Sequence, residues 1–316
     1  MHAKSEKLPA FGDRKMQIPE FPRRVTVELT NNCNFKCSMC PRRFMTSPKG
    51  YISFPLFRKI IDEMAFYGDI ILVPFFRGEP LLHPEFESMM SYAKPRVASI
   101  QLATNASLMT PEKSRAIIDL ELDFISFSID SIDPERYRAI RKNGELESVL
   151  CNIEYLCAVK AEKKAEKPVL QVSLVKTADT EEDMKSFVRY WRTRVDRVRI
   201  YREHSREGSF GSLGKGGLTD TDSVQERKPC LKPFRDLVVY WNGDVALCNH
   251  DWDRKNPLGS VCTDSIHEIW GGNAYRNIRQ AHHTCTGLEQ LCKNCDHWIS
   301  DYLEEQMIGE AYDRRS

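Results

Sequence analysis

The sequence predicts an open α/β barrel of six βα units followed by a smaller, cysteine-rich α+β module. Three observations carry that reading. Short β-branched runs alternate with helical patterns from about residue 24 to 202. Most of those runs are apolar only on alternate residues, and six of the eleven cysteines lie beyond residue 228. The chain has 316 residues, is 41% hydrophobic and sets 46 Lys+Arg against 45 Asp+Glu. That balance excludes a disordered tail protein or a polybasic nucleic-acid binder. Met1 to Arg14 lacks the apolar core of a signal peptide, and the longest apolar run, Ile70 to Phe76, is far short of the roughly 18 residues of a membrane span. A cytoplasmic protein with no membrane or nucleic-acid partner is expected, and in a reducing compartment clustered cysteines favour metal or redox chemistry over disulfides.

Strands are predicted near 24–30, 69–76, 97–104, 124–130, 169–175 and 197–202, with helices at about 54–67, 84–94, 111–120, 134–163 (broken near Gly144) and 180–194. Thr110-Pro111 with Glu112, and Asp133-Pro134 with Glu135, read as N-caps followed by proline at the first helical position. Strands buried between two helical layers read as continuous apolar runs, but here Ile125, Phe127 and Ile129 oppose Ser126, Ser128 and Asp130. Leu170, Val172 and Leu174 likewise oppose Gln171 and Ser173, and Val198 and Ile200 oppose Arg199 and Tyr201. With the apolar set against the helices, the polar set lines a common interior. A closed, packed barrel could not bury so many polar groups, so a partial (βα)6 TIM-like barrel around a ligand-filled cavity is predicted. A mixed sheet with one wet face is the competing arrangement. The expected division is an N-terminal extension (1–22), the barrel (23–207), a Gly-rich linker (208–227) and the cysteine-rich module (228–316). In the last, residues 238–247 read as a hairpin around a two-residue Asn242-Gly243 turn.

Cys33, Cys37 and Cys40 form C-x3-C-x2-C directly after the first strand, at the barrel mouth where α/β barrels place their sites. Three thiolates on one loop can hold three irons of a 4Fe-4S cluster and leave the fourth open. A structural zinc site would need a fourth ligand from elsewhere. Cys230, Cys248, Cys292 and Cys295 can fully ligate a second cluster, although two cysteine pairs also suit zinc.

At this spacing the sequence resembles the radical S-adenosylmethionine (radical SAM) superfamily. Arg77-Gly78-Glu79-Pro80 is similar to its Gly-Gly-Glu-Pro motif, with arginine in place of the first glycine. Thr104-Asn105-Ala106 resembles its Thr-Asn-Gly, and Ser128-Ile129-Asp130-Ser131 its Ser-Leu-Asp-Gly. The resemblance implies that Gly78 and Glu79 hold the methionine amino group, and that Asn105, Ser128, Asp130, Ser173 and Arg199 are candidates for further SAM contacts, with Met39 against the adenine. It implies reductive cleavage of SAM to a 5'-deoxyadenosyl radical, fed by a one-electron donor such as flavodoxin or ferredoxin. Leu258-Gly259-Ser260-Val261 and Ser265-Ile266-His267-Glu268-Ile269-Trp270 resemble the SPASM and twitch extensions of such enzymes, and four cysteines suit the one-cluster twitch form. Candidate catalytic groups are Cys262 as a hydrogen donor, Arg202 as a substrate anchor, and Glu203 and His204 as proton acceptors; His250 and Asp251 stand beside Cys248. Cys262 and Cys285 read equally well as small packing residues.

The leading expectation is an oxidoreductase that dehydrogenates a secondary alcohol on an aminocyclitol or sugar-like substrate, the auxiliary cluster accepting an electron. Its cysteine arrangement is most similar to the twitch-type aminocyclitol dehydrogenase of butirosin biosynthesis. The alternative is a maturase that epimerises or cross-links a ribosomally made peptide. A non-enzymatic metal scaffold is disfavoured by the SAM motifs.

Overall fold

The computed structural model describes residues 18–202, 227–254, 256–293, 295, 297–298 and the backbone of 311–313. Six parallel strands follow one another in order: β1 (Arg24–Val27), β2 (Ile71–Val73), β3 (Ser99–Thr104), β4 (Phe124–Ser128), β5 (Val169–Lys176) and β6 (Arg197–Arg202). Between them run α1 (Phe54–Tyr67), α2 (Phe86–Ala93), α3 (Pro111–Asp119), α4 (Pro134–Ile140), α5 (Leu146–Glu162) and α6 (Met184–Trp191). The sheet stays open, as the polar inner face requires.

Local chemistry explains the helix boundaries. The Ser53 hydroxyl accepts from Leu56 N–H to start α1, and Gly68 ends it at φ +64. Thr110 and Asp133 cap α3 and α4 as the sequence predicts. Phe57, Ile60, Ile61 and Met64 form the buried stripe of α1. On the strands, Val25, Val27, Ile125, Phe127, Val172 and Val198 are fully buried in the main core. β1, β2 and β4 end two or three residues sooner than predicted, at Val27, Val73 and Ser128, whereas β3 and β6 end where expected and β5 runs one residue further.

The cysteine-rich module does not stand apart from this sheet. After the one-turn α7 (Lys232–Arg235), β7 (Asp236–Val239) lies parallel to β1, pairing Val25 with Leu237, and β8 (Val245–Ala246) pairs antiparallel with β7. At the other edge β9 (Ala311–Asp313) is antiparallel to β6, giving a nine-stranded sheet. The hairpin turn also departs from expectation. Tyr240 N–H bonds Asp244 O, and Gly243 N–H bonds Tyr240 O. The connection is therefore Trp241-Asn242-Gly243, a three-residue loop with Gly243 at φ +91.

The module continues through α8 (Ile266–Gly271), α9 (Asn273–Thr284) and α10 (Gln290–Lys293). A capping box between Ser265 and Glu268 starts α8. Glu63 of α1 adds a second cap, accepting Ile266 N–H and His267 N–H at 2.8 Å each. Lys59 Nζ donates to Val261 O at 2.6 Å, and Trp270 Nε1 donates to Pro19 O at 2.9 Å. Among the described residues no helix is long and apolar enough to cross a membrane. Replacing Glu63 by alanine is expected to cost about 1 kcal/mol at the α8 terminus, seen by hydrogen exchange as faster opening of the Ile266 and His267 amides with those of β3 to β5 unchanged.

Candidate active site

The loop carrying Cys33, Cys37 and Cys40 is tied at both ends. Asn31 Nδ2 donates to Pro48 O at 2.8 Å, its Oδ1 accepts Gly50 N–H at 2.9 Å, and the Thr30 hydroxyl donates to Gly50 O at 2.6 Å. Within the loop, Arg42 Nη2 donates to Phe35 O at 2.9 Å and Cys33 O at 3.2 Å. From outside, Lys36 N–H and Ser38 N–H bond the carbonyls of Lys142, just beyond α4, and Ile140, its last residue. All three cysteines are half-buried and free. Burial pushes the Cys33 thiol up to about 11, with the charge of Glu79 adding and the Phe35 N–H and Arg42 opposing. Burial also raises Cys37, against the pull of Arg141. A bound metal reverses this balance by deprotonating its thiol ligands, so the donor set suits a metal cluster.

Gly78 lies where two backbones meet. A Cβ there would stand 2.2 Å from Thr30 O and 2.4 Å from Asn32 O, so only glycine fits. Glu79 is buried, and both its oxygens are engaged: Oε1 accepts the Thr104 hydroxyl at 2.6 Å and Leu81 N–H at 3.1 Å, while Oε2 accepts Asn105 N–H at 2.8 Å. Its carboxylate thus joins the β2 loop to the end of β3. Asn105 donates to Asn34 Oδ1 at 3.0 Å and approaches Cys33 Sγ at 4.0 Å, linking the same strand end to the cysteine loop. Ser128, Ser173 and Arg199 occupy one register row across β4, β5 and β6, so these three candidates share a face. The Ser173 hydroxyl donates to Phe127 O at 3.3 Å. Met39 is half-buried one residue before Cys40.

Asp130 requires a correction. Strand alternation aims it into the cavity, but β4 stops at Ser128 and the chain turns, with Asp130 at φ +67. Its Oδ1 accepts Val175 N–H at 2.8 Å and its Oδ2 pairs with Arg141 Nη2 at 2.5 Å. The carboxylate is committed to the protein. Arg202 ends β6, but its side chain, and all of Glu203 and His204, lie outside the described residues.

Cys230, Cys248, Cys292 and Cys295 line one cavity, together with His250 and His282. Burial pushes Cys248 up to about 12, with the charges of Cys230 and Cys295 adding and the His250 N–H and Lys232 opposing. Cys292 is raised by burial and by the other three. Arg227 holds this end of the chain, donating to Cys292 O at 3.0 Å and Cys295 O at 3.1 Å. Cys285 sits apart from the four, donating to the carbonyls of Arg227 and His282. Cys262 is exposed beside the Trp241-Asn242-Gly243 loop, its Sγ donating to Asn242 O at 3.4 Å.

A buried arginine adds a further link between the two halves. Arg77, the arginine that stands for glycine in the SAM motif, makes a bidentate pair with Glu28 at 2.6 and 2.7 Å, both side chains shut off from solvent. Its Nη1 donates to Trp252 O at 2.6 Å, and its guanidinium lies 4.4 Å from the Tyr240 ring centre. Tyr240 in turn donates to Asp251 O at 2.6 Å, three residues along from Cys248, whose Sγ accepts the His250 N–H.

A sequence model of the radical SAM superfamily matches residues 27–190, and one of the SPASM iron-sulfur cluster-binding domain matches 230–296. The chain belongs to the radical SAM superfamily. This radical SAM enzyme uses SAM and a 4Fe-4S cluster, and its SPASM module implies auxiliary iron-sulfur binding. It is 28% identical over 166 residues to a cofactor-modifying protein for tungsten-containing aldehyde ferredoxin oxidoreductase from Pyrococcus furiosus, covering 52% of this chain and 46% of that one. The AdoMet-dependent heme synthase of Methanosarcina barkeri is 32% identical over 168 residues, with the same coverage. The chain thus spans about half the length of the curated relatives it matches. Its fold is similar to Streptococcus suis SuiB bound to precursor peptide SuiA, with TM-score 0.69 at 13% identity over 95% of this chain and 76% of that one. It is also similar to BtrN in complex with AdoMet and 2-DOIA, with TM-score 0.57 at 17% identity over 87% and 92%.

Sequence reasoning missed what Arg77, Arg141 and Arg227 do, since an arginine in a loop reads as a solvated charge until its partners are known. Two outcomes follow from the geometry. Arg77→Met leaves Glu28 buried without its partner and is expected to lose about 3–5 kcal/mol, most of it recovered in the Glu28→Gln/Arg77→Met double variant, as measured by denaturation midpoints. Gly78→Ala is expected to weaken SAM binding more than tenfold in equilibrium dialysis, because the added methyl must part Thr30 from Asn32.

Proposed function

We propose that this radical SAM enzyme is an oxidoreductase that dehydrogenates a hydroxyl-bearing small molecule. Cys33, Cys37 and Cys40 hold the SAM-binding cluster, and Cys230, Cys248, Cys292 and Cys295 hold one auxiliary cluster. The observation that carries the reading is the second thiol set: four cysteines around one cavity supply every ligand a 4Fe-4S cluster takes. When bound, SAM and the two clusters supply radical hydrogen abstraction and a one-electron acceptor.

The chain's own residues order the space between these sites. Gly78 lets the SAM loop approach the end of β1, and Glu79 fixes that loop to β3. The row of Ser128, Ser173 and Arg199 presents hydroxyls and a guanidinium, a lining that suits a substrate with several hydroxyl or amino groups. The likeness in fold to BtrN in complex with AdoMet and 2-DOIA, over 92% of that chain, supports a small-molecule substrate. A flavodoxin or ferredoxin in the cytoplasm is the proposed electron source.

The higher likeness to SuiB bound to its precursor peptide, over 95% of this chain, favours a second reading, a peptide maturase. The tests separate these readings. The reconstituted protein is expected to carry about eight irons and to release 5'-deoxyadenosine from SAM under dithionite. Cys37→Ala is expected to lose that release, whereas Cys248→Ala loses about half the iron and keeps it. A ketone formed from an aminocyclitol supports the dehydrogenase; a mass change confined to a peptide encoded beside the gene overturns it in favour of the maturase.

A further inference from the structure

We propose that Arg141 sets the reduction potential of the SAM-binding cluster by acting on the Cys37 sulfur, with Asp130 as the counter-charge that trims its effect. Arg141 Nη1 lies 3.6 Å from Cys37 Sγ, and its Nη2 pairs with Asp130 Oδ2 at 2.5 Å. Both partners are locked. Asp130 is 1% exposed and held by Val175 N–H. The Arg141 N–H bonds Tyr137 O at 2.6 Å, while the carbonyls on either side of it, Ile140 and Lys142, receive the N–H groups of Ser38 and Lys36 from the cysteine loop. The guanidinium is therefore fixed against the loop that it would influence.

A 4Fe-4S cluster becomes one unit more negative on reduction, and its potential follows the net charge around it and the hydrogen bonds to its sulfurs. A fixed cation at Cys37 stabilises the reduced form; the Asp130 carboxylate offsets part of that field. Removing the two charges must shift the potential in opposite directions, which a purely structural role would not do. The inference rests on Cys37 being a ligand of the SAM-binding cluster. That assignment is tested separately, since a Cys37→Ala protein that still shows two cluster signals would overturn it.

The experiment is an equilibrium redox titration followed by electron paramagnetic resonance on the enzyme with both clusters reconstituted. Arg141→Gln is expected to move the SAM-binding couple to more negative potential by at least tenfold in the reduced-to-oxidised ratio, about 59 mV for one electron. Asp130→Asn is expected to move it to more positive potential, and Arg141→Lys to fall between Arg141→Gln and wild type. The auxiliary couple, the internal reference, stays in place. An unmoved SAM-binding couple, shifts of the same sign in both charge variants, or equal shifts in both clusters overturn the proposal. Should Arg141→Gln fail to retain its cluster, Asp130→Asn decides alone: a positive shift supports the proposal and its absence defeats it.

Discussion

The buried pair of Glu28 and Arg77 is the interaction on which the rest of the arrangement depends. Two charges taken out of water need close geometry and further hydrogen bonds to offset their desolvation. Here Trp252 O and Trp241 N–H supply those bonds, and Tyr240 covers the guanidinium face. The five groups come from the end of β1, the β2 loop, the β7–β8 hairpin and the segment after Cys248. None can move without exposing a charge. The radical SAM half and the auxiliary module therefore share one continuous sheet and one apolar core, in which Leu237, Val239, Ile266 and Trp270 join Val25 and Ile60, and the buried ion pair adds a polar joint between them.

That joint sits beside the most crowded point of the SAM loop. Gly78 must be glycine because the carbonyls of Thr30 and Asn32 leave no room for a Cβ. The preceding position has no such limit, and an arginine there reaches away from the SAM loop toward Glu28. The departure from the family motif thus keeps the close approach where the motif needs it and adds a tether to the module.

The fold was legible wherever the signal was local. Period-two alternation in residues 124–128 and 169–174, and the Thr110 and Asp133 caps, depend on neighbours a few residues away, and the structure agrees with them. The C-x3-C-x2-C spacing of Cys33, Cys37 and Cys40 was visible for the same reason. Pairing of β7 with β1 was hidden, because residues more than two hundred positions apart leave no periodic trace of their adjacency. Asp130 misled because alternation assumes that the strand continues, whereas a left-handed residue turns the side chain out of phase. Arg77 and Arg141 were illegible for a third reason: their partners are defined only once the loops close.

Arginine serves the two thiol sets in different ways, and the difference has a chemical meaning. Arg227 donates to the carbonyls of Cys292 and Cys295, so it shapes the backbone that presents the sulfurs. Arg42 does the same for Cys33 and Phe35. Arg141 alone of these three is recorded against a sulfur, Cys37 Sγ. A guanidinium on a carbonyl acts first on geometry, its charge reaching the sulfur only through space, as that of Arg42 does at Cys33. One on a ligand sulfur acts on the electrons of the metal–sulfur bond. If Cys33, Cys37 and Cys40 hold the proposed SAM-binding cluster, which would supply the electron for SAM cleavage, a fixed charge at the Cys37 sulfur has direct leverage on that chemistry. A cluster with four protein ligands needs its loops held more than its sulfurs polarised, and that is the contact Arg227 makes.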